Sequence, residues 1–80
     1  MEETMTPEQI QRNISAAFDS VNLINALLDQ DATENRKDAA TRNYQHLEIM
    51  LGKTWFADAL TEQQRADIDA CVAAAKTYAA

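Results

Sequence analysis

Ile10, Ile14, Ala17, Val21, Ile24 and Leu28 follow one another at spacings of four, three, four, three and four. An apolar period near 3.5 residues predicts one helix with a continuous seam, shaped to lie along another helix at a shallow angle. The start signals agree. Thr6 and Gln9 form a T-x-x-Q capping box, Pro7 stands at the first helical position, and Met5 and Ile10 flank the box as a hydrophobic staple. The predicted helix covers about 7–30 and is roughly 36 Å long. The polar run Asp29 to Glu34 breaks it, and either Asp31 with Glu34 or Thr33 alone can cap the next helix. That second helix, about 33–51, carries Ala40, Tyr44, Leu47 and Leu51, and Gly52 is expected to end it in a left-handed conformation.

Residues 54–60 read as a connector of about one helical turn. A second T-x-x-Q box, Thr61 to Gln64, opens a third helix of about 62–79 with Ile68, Val72, Ala75 and Ala79 on one face. Ala66, Ala70, Ala73 and Ala74 allow a neighbour to approach it closely. The expected fold is all-α: a long antiparallel helical hairpin, a short connector and a third helix, making a small three-helix bundle. Residues 1–80 form one domain, and residues 1–5 are expected to be a flexible N-terminus.

The seam is wider than its hairpin partner. Val21, Leu23, Ile24, Leu27 and Leu28 span about 160° of the helix at 100° per residue. The start of the second helix offers only Ala39 and Ala40 opposite them. Leaving several such side chains wet is costly, since each is worth about 1.5–3 kcal/mol when buried. The third helix, a second copy, or both must therefore cover this stretch. The seam residues are thus candidate self-association or partner contacts, and a homo-oligomer is expected.

Composition narrows the function. One Gly and one Pro in 80 residues, with 46% hydrophobic, exclude a low-complexity chain and disfavour β folds. The net charge of −6 disfavours duplex nucleic acid as a direct partner. The charge is uneven: residues 1–31 set six acidic side chains against Arg12 alone, whereas residues 32–53 are the only non-acidic third. Cys71 is the single cysteine, so no disulfide forms within the chain. With an acidic, polar start and no apolar run long enough for a membrane span, the expected setting is the cytoplasm.

Familiar chemical motifs fail on their spacing. Gly52-Lys53-Thr54 ends like a phosphate-binding loop, but Leu47 stands where its first glycine belongs, and no strand precedes it. Asp29, Asp31 and Thr33 alternate like a calcium loop, but Glu34 replaces its glycine and Ala40 its final glutamate. His46 is the only histidine and has no second ligand nearby in sequence. Neither a catalytic group nor a cofactor is expected. The better candidate is an anion or ligand site on the second helix. Arg36, Arg42 and His46 would supply donors there, and Tyr44 or Trp55, or Phe56 beside it, would supply a ring for a base to stack on. The alternative for the same residues is a solvated face with intrahelical ion pairs.

Arg42-Asn43-Tyr44-Gln45-His46-Leu47-Glu48-Ile49-Met50, followed by Lys53, Trp55 and Phe56, resembles a pattern in short uncharacterised proteins of tailed bacteriophages and marine viruses. Asp19 to Asn25 and Lys76-Thr77-Tyr78 extend the resemblance more loosely. It implies no known activity. The architecture, without a shared motif, is also similar to phage helical hairpins that oligomerise and sequester cyclic-nucleotide signals. The expectation that follows is a phage-type accessory protein that works by binding. Its partner would be itself, a host or phage protein, or a small anionic nucleotide. A small virion component and an acidic mimic of nucleic acid remain alternatives.

Overall fold

The computed structural model describes residues 5–80. The expected flexible start therefore lies, apart from a half-buried Met5, outside the described residues. Four helices follow: α1 Pro7–Leu28, α2 Glu34–Leu51, the single turn α3 Thr54–Ala57 and α4 Glu62–Ala79. Both capping boxes form. The Thr6 hydroxyl accepts from the Gln9 amide at 3.2 Å while the Gln9 side chain accepts from the Thr6 amide at 3.0 Å. Thr61 and Gln64 repeat the exchange at 3.1 and 2.9 Å. Each box satisfies two of the amides that a helix start leaves without partners.

Between α1 and α2 the choice of cap is Thr33, whose hydroxyl accepts from the Arg36 amide at 3.3 Å. Gly52 departs from expectation: its φ of −74° and ψ of −11° are right-handed. Only Lys53 separates it from α3, and the Gly52 and Lys53 amides still bond back to the carbonyls of Glu48, Ile49 and Met50. The chain thus leaves α2 by a continued right-handed turn, with no reversal for a left-handed residue to make. A Cβ there would lie 3.3 Å from the Ile49 carbonyl oxygen, a close contact that a shift of a few tenths of an ångström relieves, so neither φ nor space demands glycine.

The helices enclose one core of Ile14, Ala17, Val21 and Ile24 from α1, Leu47 and Met50 from α2, Phe56 from α3, and Ile68, Cys71, Val72 and Ala75 from α4. Phe56 is fully buried, so α3 acts as a plug in the bundle. That rules out Phe56 as a ring for an incoming base. α2 packs more extensively on α4 than on α1, and α1 touches both. The end of α4 reaches the α1–α2 turn, where the Tyr78 hydroxyl lies 3.1 Å from the carbonyl oxygens of both Gln30 and Asp31. One proton shared between two turn carbonyls ties the last helix to the first connection.

This course of α4 decides what covers the wide seam. The Cys71 thiol sits 3.9 Å from the Val21 carbonyl, and Val21, Ile24 and Leu27 are buried within the single chain. Leu28 is partly buried against the same core. Of the proposed seam, only Leu23 is left outside, at 47% exposure. The seam as a whole is therefore not a free surface, and Val21, Ile24, Leu27 and Leu28 are core contacts. The surplus width is absorbed because α4 is built of small residues. Ala75 is fully buried, and so are Ala17 and Ala40 on the other helices, so the backbones pack closely enough for one slim helix to span a broad stripe. No described helix is long and apolar enough to cross a membrane.

Candidate functional site

The second helix sorts its residues by angle. Ala40 and Leu47 are fully buried, which turns the opposite side of α2 outward. Arg42, His46, Ile49 and Lys53 recur there at spacings of four, three and four, and all four are exposed. Ile49 is 64% exposed, the most open large apolar side chain among the described residues.

Most cations elsewhere in the chain are engaged. Lys76 is held by Glu48 at 2.8 Å, and Arg65 by Asp69 at 3.2 Å. The Glu48 carboxylate, through this hydrogen bond and its charge, raises the Lys76 ammonium above the usual lysine range. Arg36 donates to the Asp31 carbonyl at 3.1 Å and Lys37 to the Ala80 carbonyl at 3.4 Å. Among the described residues, Arg42 and Lys53, like the exposed Arg12 on α1, have neither an ion pair nor a side-chain hydrogen bond. The charges of Arg42 and Lys53 are directed to solvent on both sides of Ile49.

The structure divides the group expected to form an anion site. Arg36 stays at the α1–α2 turn with Asp31. Tyr44 is two residues from both Arg42 and His46, hence about 200° of arc from either. It faces α4, where the Lys76 ammonium lies 5.8 Å from its ring centroid. Trp55 sits on α3, edge-on to Phe56 with ring centroids 6.1 Å apart and planes at 88°. Only Arg42 and His46 share a face. The five side chains do not form one pocket for a stacked nucleotide.

Two features were harder to read beforehand. Spacing alone places Ile49 and Lys53 beside Arg42 and His46, but it does not show which side of α2 the core takes; burial of Ala40 and Leu47 adds them to the site. The second feature is an open groove of about 470 Å³ between α1 and α4, lined by Phe18, Val21, Asn22, Asn25, Asp67 and Ala70. Its one carboxylate accepts from the Gln63 side chain at 2.8 Å. No pattern within a single helix marks that groove, because it exists only where two helices meet. Among the described residues no group of three His, Cys, Asp or Glu side chains is placed to hold a metal ion. Compared with protein-family models, curated proteins and solved structures, the chain matches none.

Proposed function

We propose that this chain is a non-enzymatic accessory protein that works by binding an acidic protein surface through the outer face of α2. The observation that carries the reading is the pair of unpartnered cations, Arg42 and Lys53, set around the exposed Ile49 on a chain of net charge −6. An apolar centre flanked along the helix by two free cations matches the anatomy of a transient protein interface. Ile49 supplies the contact that excludes water, His46 and Gln45 supply hydrogen bonds, and the cations set orientation and the rate of encounter. The separation of Tyr44 and Trp55 from Arg42 favours a protein partner over a small nucleotide. The resemblance to short phage proteins supports an accessory role over a metabolic one.

The test is a titration of isotope-labelled protein with an acidic amphipathic helical peptide, followed by amide chemical shifts. The expected result is a cluster of shifts at Arg42, His46, Ile49 and Lys53, weakened by added salt and by Arg42→Glu. Shifts elsewhere, or none at millimolar peptide, refute the reading. A thermal-shift series with cyclic and linear nucleotides is expected to leave the melting temperature unchanged; a rise abolished by Arg42→Ala would favour a nucleotide ligand instead.

A further inference from the structure

Two large apolar side chains are well exposed among the described residues, and they sit in opposite electrostatic surroundings. Leu23 on α1 has Asp19 one turn before it and Asp29 at the helix C-cap after it. The last turn of α1 carries no basic residue, so the negative end of its dipole adds to these acids. Ile49 on α2 has Lys53 one turn after it and Arg42 two turns before it. We propose that the occupant of the α2 face is the Leu23 face of α1 from a second copy of this chain. The proposal rests on the reading of the α2 face as a contact surface and names its partner.

Spacing supports the fit. Asp19 precedes Leu23 by four residues and Lys53 follows Ile49 by four, an offset of about 6 Å along the axis in each case. Asp29 follows Leu23 by six and Arg42 precedes Ile49 by seven, roughly 9–10 Å. Laid antiparallel with Leu23 on Ile49, the two helices bring Asp19 to Lys53 and the negative C-terminal end of the α1 dipole to the level of Arg42. Self-pairing in the same antiparallel register lacks the charge pair, because Asp19 would meet Leu27 and Lys53 would meet Gln45. The contact therefore joins the α1 face of one copy to the α2 face of another; it closes at two where both such contacts form across a two-fold axis and continues from copy to copy where they do not. One helix pair buries less than the roughly 1,200 Å² of stable complexes, so the association is weak, on the order of 0.1–1 mM.

Sedimentation velocity from 10 µM to 1 mM at 50 mM salt tests this. The expected result is an average mass that rises above the monomer with concentration, suppressed at 500 mM salt. Asp19→Lys and Lys53→Asp each weaken association about three- to tenfold, and the chain carrying both recovers it. All of these positions are exposed, and circular dichroism checks that each variant is folded. Leu23→Ser is expected to abolish self-association while leaving the acidic-peptide shifts on α2 intact. A monomer at 1 mM, or a double variant no better than the single ones, overturns the proposal. If the acidic peptide still shifts the α2 amides in that case, the α2 reading stands with a different partner; if it does not, both fall.

Discussion

Phe56 and Cys71 show how much rests on single side chains in a core this small. Phe56 fills the centre of the bundle from a helix of one turn, so Phe56→Ala leaves a cavity that its short element cannot close. The expected loss is about 3–5 kcal/mol, and a melting temperature lower by at least about 12 °C, measured by thermal unfolding. Burial pushes the Cys71 thiol above its usual range, because the interior disfavours the thiolate. The unfolded chain releases that proton first as pH rises past about 8.5. The thiol's contribution is thus fully present below that value and is lost as pH climbs through the higher folded-state value. Urea midpoints are expected to begin falling as pH rises past about 8.5 in the native chain and to fall less in Cys71→Ala. Lys76, also raised, loses its contribution in the same direction but only from about pH 10.4 upward.

Among the elements, α1 carries the sharpest contrast between faces. Ile24 is fully buried and its neighbour Leu23 is half open. Ile24→Ala is expected to cost about 2–5 kcal/mol, whereas Leu23→Ser stays within about 0.5 kcal/mol by chemical denaturation. Removing either box threonine, by Thr6→Ala or Thr61→Ala, costs about 1 kcal/mol. These elements were legible in the sequence because their signals are local: caps, breaks and a 3.5-residue period place α2 and α4 to within a residue. The misjudged end, Gly52, depended on how soon α3 begins. The coverage of Val21 and Ile24 depended on how closely an alanine-rich helix approaches, which a list of side-chain sizes on the facing helix does not contain.

At the scale of the molecule, the candidate site was only partly legible, for a related reason. Helical spacing placed Arg42, His46, Ile49 and Lys53 together. It did not show that Tyr44 turns toward α4 beneath Lys76, or that Arg36 is held by the Asp31 carbonyl. Which cations are free is a property of the assembled bundle. Salt is accordingly expected to act mainly on association, through Arg42 and Lys53, and little on unfolding, because the ion pairs of Arg65 and Lys76 are exposed. Urea midpoints at 50 and 500 mM salt check this.

The hold of Tyr78 on the α1–α2 turn also has a consequence in time. Val21 and Ile24 share one core with Ile68, Cys71, Val72 and Ala75, so part of their cover arrives with α4, whose apolar face begins at Ile68, some forty residues after α1 ends. At a synthesis rate of about 5–20 residues per second, the α1 stripe waits roughly 2–8 s on the ribosome before its lid exists. During that interval the nascent hairpin exposes apolar surface, and the core shared with α4 closes only after α4 emerges. A fragment ending at Leu51 is accordingly expected to bind apolar dyes and to aggregate, while the full chain does neither.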